Sequence, residues 1–173
     1  HQEDALKFDF SILSPKPFRI IGNLPYNIST PILFHLLRFL PDIQDLYFLL
    51  QKEVVDRITA APNNKNYGRL SIMVQYYCKA EYLFDVNKHA FKPVPQVESA
   101  FFRLIPHDTL PFKANDFDVF TNIVRDCFNH RRKTLRKTLK AKYDLSKVET
   151  IIDLGLRPEN LSIADFVNLS NHV

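Results

Sequence analysis

Apolar positions change their period along the chain, and that change divides it. Phe18-Arg-Ile-Ile-Gly22 is a short apolar run closed by a glycine, and from Ser29-Thr-Pro31 onward Ile32, Leu33, Leu36, Leu37 and Leu40 recur with helical spacing. A strand, a loop and a helix are predicted, with a hydroxyl residue capping the helix and proline in its first turn. Residues 45–50 read as a second buried strand, and residues 51–60 as a helix with Val54, Val55 and Ile58 on one face. Strand, helix, strand, helix implies a parallel sheet covered on both sides. Residues 62–68 have turn composition, and a further helix is predicted over 69–77. Residues 81–86 and 99–105 then read as strands around a proline-rich connection, 91–97, and are expected to pair antiparallel at the end of the sheet.

From about Asn115 the strand pattern stops. Phe117, Phe120, Ile123, Val124, Cys127 and Phe128 have helical spacing, Leu135 and Leu139 are expected to face a core, and Gly155 and Ser162 read as a helix stop and a helix start. The expected organisation is an α/β domain over 1–108 followed by a small all-helical domain over 109–173.

Composition places this pattern in a globular chain. Apolar residues make up 46% of the 173, and 15 Phe with 7 Tyr supply more large rings than a solvated tail carries. The longest apolar runs are a few residues, far short of the roughly 20 that a membrane-spanning helix needs, so neither a span nor a secretory leader is expected. Cys78 and Cys127 stand far apart with no C-x-x-C pair and no His at ligand spacing. Neither a metal site nor a disulfide framework is expected, and a reducing cytoplasm is the natural compartment.

Charge is unevenly placed. Between Arg125 and Lys142 eight basic residues face the single acid Asp126, whereas the rest of the chain has 15 basic and 18 acidic residues. A field concentrated on Arg131, Arg132, Lys133, Arg136, Lys137 and Lys140 points to phosphate contacts on a polyanionic partner. His35, His89 and His130 lack acidic partners in sequence and read as structural or surface residues.

The tetrapeptide Asn23-Leu24-Pro25-Tyr26, directly after a predicted strand, carries the chemistry. It suits an aromatic amine, whose lone pair is delocalised into its ring. The Asn23 side-chain oxygen and a backbone carbonyl such as that of Leu24 can accept both N–H groups and favour a pyramidal nitrogen. Pro25 stiffens the turn, and Tyr26 offers a face on which a base can stack. Taken alone, the same four residues also make an ordinary turn before a helix.

The runs Gly22-Asn-Leu-Pro-Tyr-Asn-Ile-Ser-Thr-Pro31, Leu50-Gln-Lys-Glu-Val54, Tyr67-Gly-Arg-Leu-Ser71, Phe91-Lys-Pro-Val-Pro-Gln-Val-Glu-Ser99 and Asn129-His-Arg-Arg-Lys-Thr-Leu135 decide between these readings. In this order and spacing they resemble the ribosomal RNA adenine dimethyltransferase family (KsgA type) across essentially the whole chain. The resemblance implies a Rossmann-like class I methyltransferase sheet with a small C-terminal helical domain. It also implies methyl transfer from S-adenosylmethionine to N6 of two adjacent adenines in a loop of small-subunit rRNA, by a monomer acting on a 30S-type particle. Asn23, Leu24, Pro25 and Tyr26 would hold the adenine and Phe91 would close over it. Asp4 and Ala5, together with Asn23, would contact the cofactor.

One departure stands out. Such enzymes open with a strand, a glycine-rich turn and an acidic residue for the cofactor ribose, and Gly22, Gly68 and Gly155 cannot form that turn. The expectation is therefore a partial sheet without its N-terminal strands, from a longer enzyme. Two other readings share these features: a large-subunit rRNA methylase of the resistance type, and a non-catalytic RNA-binding assembly factor.

Overall fold

The computed structural model describes residues 2–173, which fall into two compact units. One comprises the chain up to Thr59 together with Tyr77–Asp108; the other comprises Ala60–Tyr76 and Thr109–Val173.

The first unit is built on a four-stranded sheet. Strand β1 (Phe18–Asn23) pairs parallel with β2 (Ile43–Gln51), and β4 (Ser99–Pro106) lies antiparallel between β2 and β3 (Cys78–Val86). The expected antiparallel pair at the end of the sheet is present, and three strands share one direction. Helix α1 (Ser29–Leu36) connects β1 to β2 and buries Ile32, Leu33 and Leu36. Helix α2 (Lys52–Ile58) follows β2 directly and buries Val55 and Ile58.

Two expectations are corrected here. The hydroxyl at the start of α1 does not cap it: the preceding residue is Ile28, and Ser29, already helical and buried, donates to the Tyr26 carbonyl at 3.1 Å. Nor is the sheet covered on both sides. Leu46, Phe48, Leu50, Ala100, Phe102 and Leu104 are buried on one face. The other face leaves Ile21 68% and Phe84 55% exposed, with Tyr47 and Phe101 half-buried. Apolar alternation reports that a residue can be buried, and nothing in it reports whether a covering layer is present.

The open face also carries an ion cluster. Asp45, 0% exposed, receives Arg19 through Nε at 2.6 Å and Nη2 at 3.0 Å and Arg103 through Nη2 at 2.8 Å. Both guanidiniums also lie over the Tyr47 ring, at 5.1 and 5.3 Å. A buried carboxylate is tolerable because two cations neutralise and hydrogen-bond it.

The second unit is helical. Helix α3 (Arg69–Tyr77) contributes all but its last residue and buries Leu70, Ile72, Met73, Val74 and Tyr76. Helix α4 (Phe117–Asn129) starts where the Asp116 carboxylate accepts the Asp118 and Val119 N–H groups, and it buries Phe120, Ile123, Val124 and Cys127. Short α5 (Leu135–Leu139) is capped by Thr134 and buries both of its leucines, as expected. Helix α6 (Ile163–His172) begins with a reciprocal cap between Ser162 and Asp165, so Ser162 is indeed a helix start. Gly155 is not a helix stop: it lies in a turn where its N–H donates to the Asp153 carboxylate at 2.8 Å. Rings interlock across these helices, with Tyr76 against Phe120 at 4.9 Å and Phe128 against Phe166 at 6.0 Å.

Candidate active site

Asn23 is the last residue of β1, paired in register with Leu49, and the Leu24 N–H still donates to the Leu49 carbonyl at 3.3 Å. The chain leaves the sheet at Pro25, which has no N–H to offer a ladder. It then turns through Ile28, whose N–H donates to the Pro25 carbonyl at 3.2 Å, into α1. This exit puts the four residues along one wall of a cavity of about 350 Å³. Phe91, Lys92, Pro93 and Pro95 form the other wall. The Asn-Leu-Pro-Tyr loop and the proline-rich loop thus line one cavity.

Within the cavity the acceptors are free and the rings are held. Asn23 is exposed, and neither its side chain nor the Leu24 carbonyl has a hydrogen-bond partner among the described residues. Tyr26 is half-buried, and its hydroxyl is 2.9 Å from the Ser99 Oγ. Phe91 is half-buried on a loop whose neighbours Lys92, Pro93 and Val94 are exposed, so it is not a core residue. The pocket thus offers uncharged acceptors, two rings and one nearby cation, with no carboxylate or histidine in its lining.

Asp4 and Ala5 lie elsewhere in the same unit. The Asp4 Oδ1 accepts the Leu6 N–H at 3.0 Å, and Asp4 Oδ2 has no partner among the described residues. Ala5 borders a second hollow of about 340 Å³ with Glu3, Phe8, Phe10 and Leu13. That hollow is backed by Phe8 against Phe10, at 4.9 Å. His35 bonds the Phe8 carbonyl through Nε2 at 2.8 Å, which makes that nitrogen the protonated one and gives His35 a structural role. The carboxylate that edges this hollow is that of Glu3. Of the three residues expected at the cofactor, Asn23 lines the first cavity, Ala5 the second and Asp4 neither.

The basic residues of the second unit separate into two sets. Arg131 donates through Nε to Glu159 at 2.6 Å and through Nη1 to the Lys65 carbonyl at 2.6 Å; Arg136 pairs with Glu149, and Lys142 with Asp126 at 2.7 Å. Arg132, Lys133, Lys137 and Lys140 are exposed and form no ion pair among the described residues. Arg132 and Lys133 border a hollow of about 540 Å³ at the end of α4, with Phe128, Asn129, His130 and Arg131.

A family model described as ribosomal RNA adenine dimethylase matches residues 1–173. The chain belongs to the ribosomal RNA adenine dimethylase family. It is 53% identical to "Ribosomal RNA small subunit methyltransferase A" of Marinobacter nauticus over 99% of its own length and 63% of that protein. It is 52% identical to the protein of the same name from Pseudomonas putida, over 100% of this chain and 66% of that one. The chain thus spans a little under two thirds of the curated relatives it matches. Among solved structures, a dimethyladenosine transferase from Plasmodium falciparum superposes with a TM-score of 0.82 at 29% identity, covering 98% of this chain and 70% of that one. The 23S rRNA methyltransferase ErmE shares the fold, with a TM-score of 0.73 at 24% identity. Both neighbours bear out the Rossmann-like reading of the sheet.

Ser99, whose hydroxyl meets that of the cavity residue Tyr26, escaped the sequence reading. It stood at the end of a motif, but a polar residue at the head of a strand carries no sign of which loop it will touch. Among the described residues no group of three or more His, Cys, Asp or Glu could hold a metal ion, and no helix is long and apolar enough to cross a membrane.

Proposed function

We propose that the protein transfers methyl groups from S-adenosylmethionine to N6 of two adjacent adenines in a loop of small-subunit rRNA, giving N6,N6-dimethyladenine during ribosome biogenesis. One observation carries this reading: the cavity between Asn23–Tyr26 and Phe91–Pro95, with the Asn23 amide and Leu24 carbonyl unpartnered among the described residues and no carboxylate or histidine in the lining. The names of the relatives and the family of the chain support it.

The residues act by positioning. Asn23 Oδ1 and the Leu24 carbonyl accept the two amine hydrogens, which draws the nitrogen out of conjugation and leaves its lone pair directed away from the acceptors. Tyr26 and Phe91 take the faces of the base, so an adenine is held only when it has left its stack. S-adenosylmethionine, when bound, supplies a methyl on a sulfonium sulfur, so that N–C formation accompanies S–C cleavage and a neutral thioether leaves. The amine proton becomes acidic only after transfer and passes to water, which is why the lining needs no general base. Asp4 and Ala5 would hold the adenine edge of the cofactor, and Asn23 would border both substrates.

Arg132, Lys133, Lys137 and Lys140 would contact RNA phosphates and orient the loop. Within this reading the protein acts as a monomer on a 30S-type particle in the cytoplasm. The test is to incubate the full-length protein with labelled S-adenosylmethionine and unmodified small subunits, then to map the label. Label on two adjacent small-subunit adenines is expected. Label in large-subunit rRNA, or no label, overturns the reading.

A further inference from the structure

The two walls of the cavity belong to loops far apart in sequence, yet both are tied to one dipeptide. Ser99 is buried at the first position of β4, in register with Gln51 and Val86, and its hydroxyl meets the Tyr26 hydroxyl at 2.9 Å. Glu98 reaches the other way. Its carboxylate accepts the Lys88 N–H at 2.9 Å, and its own carbonyl accepts the Lys52 N–H at 2.9 Å. Lys88 opens the turn Lys88–Ala90 that delivers Phe91, and the Phe91 N–H closes on the Lys88 carbonyl at 3.2 Å. Phe91 is therefore one hydrogen-bonded turn away from Glu98.

The stem opposite Glu98 is held as well. The Lys52 ammonium donates to Asp85 at 2.8 Å and to the Tyr82 hydroxyl, and Tyr82 itself bonds Asp85. This fixes the end of β3 just before the loop departs. Residues 92–97, stiffened by Pro93 and Pro95, project from a base closed by Glu98.

We propose that Glu98 and Ser99 are positioning residues which together set the spacing between the Phe91 and Tyr26 walls. The proposal rests on the adenine-binding reading above. Neither side chain lines the cavity, so neither touches the base: Ser99 orients the Tyr26 ring through its hydroxyl and Glu98 anchors the turn that carries Phe91. A displaced ring leaves the amine short of its near-attack position, and a shift of about 1 Å in such a geometry costs on the order of a hundredfold in rate. Slack introduced at one hydrogen bond is expected to cost less.

The test uses Glu98→Ala, Glu98→Gln, Ser99→Ala and Tyr26→Phe in the full-length protein. Single-turnover methyl transfer, RNA affinity and hydrogen exchange at the Lys88 amide are the measurements. E98A is expected to speed Lys88 exchange and slow transfer about tenfold, with RNA affinity within about twofold of wild type. E98Q keeps a carbonyl acceptor and is expected to stay within about threefold of wild type in rate. S99A and Y26F break the same bond, so each is expected to slow transfer about fivefold and the double variant no further. Unchanged exchange and rate in E98A, an E98Q as slow as E98A, or additive effects of S99A and Y26F each overturn the proposal. A wild-type protein that transfers nothing overturns the functional reading itself, whereas an active wild type with unaffected variants overturns this inference alone.

Discussion

The Arg131 guanidinium is committed to Glu159: its Nε lies 2.6 Å from a carboxylate oxygen that arrives from 28 residues further along the chain. Two further donations, to the Lys65 and Asn64 carbonyls, complete the contact and tie the turn before Tyr67 to the end of α4 within the helical unit. Replacing Arg131 with Ala is therefore expected to act on stability. A loss of about 1–2 kcal/mol in urea unfolding is expected, because several charge-assisted bonds to a half-buried side chain disappear. The salt dependence of RNA binding should stay as in wild type, and a flattened slope at unchanged stability would return Arg131 to the RNA-binding set.

Arg132, Lys133, Lys137 and Lys140 are exposed and form no ion pair among the described residues, and in the proposed reading they meet phosphates. Neutralising Arg132 and Lys133 together should reduce the slope of log affinity against log salt by roughly 0.7–0.9 per lost contact, with the midpoint of unfolding unmoved. Titrating RNA at several salt concentrations measures this. An unchanged slope would mean that the exposed cations meet solvent only.

These two outcomes show what was legible in the sequence and what was not. The basic run itself was plain, as was the Asn-Leu-Pro-Tyr turn, because each is contiguous. The acids that pair with Arg131 and Arg136, Glu159 and Glu149, lie in segments whose own sequence has no charge pattern, and only the fold brings them together. The same holds for the site. Tyr26 and Phe91 were singled out one by one from short motifs, but the Tyr26–Ser99 bond spans 73 residues and depends on β4 entering the sheet between β2 and β3. Periodicity marked all four strands and the helical end without their order. It also left the open sheet face unannounced, since Ile21, Tyr47 and Phe101 alternate just as covered residues do.

Asp45 links the sheet to pH. Hydrogen bonds from Arg19 and then Arg103 hold its carboxyl below the ordinary value of 3.8, against the opposing effect of burial. A carboxyl lowered in the folded state stabilises fully above the ordinary carboxylate range, and that contribution is lost as pH falls through the folded value. Asp45→Asn should therefore lose about 2–3 kcal/mol at pH 7 and show a shallower decline in stability below about pH 4. Urea unfolding across roughly pH 2.5–7, the window of carboxylate titration, checks both; equal acid sensitivity in the two proteins would show that Asp45 does not set the acid limb.

Cys78 and Cys127 are both buried, and burial pushes each thiol up to about 12. At pH 8 the thiolate fraction is then on the order of one in ten thousand, and the sulfurs have no open approach. A disulfide-exchange reagent should modify neither cysteine in the native protein and both in denaturant. Rapid native labelling would show that the helical unit or the β3 end opens readily.

Asn23 is the decisive substitution because it separates holding the RNA from aiming its amine. Its side chain ends β1 exposed and unpartnered among the described residues, so Asn23→Ala removes none of their hydrogen bonds and should leave the unfolding midpoint within measurement error. The phosphate contacts proposed for the helical unit are untouched, so RNA affinity should change less than about threefold. Transfer is different, since one of the two acceptors proposed to shape the reacting nitrogen is gone; losing a comparable aligned hydrogen-bonding group at a reacting centre costs about 10²–10³ in rate. Asn23→Asp tests the sign of the effect. Its carboxylate still accepts an N–H and should recover part of the rate at neutral pH, and that recovery should vanish as the acid is protonated below about pH 4. A single-turnover assay with unmodified small subunits reads all three proteins, and an N23A variant that transfers at the wild-type rate would strip the pocket of its chemical role.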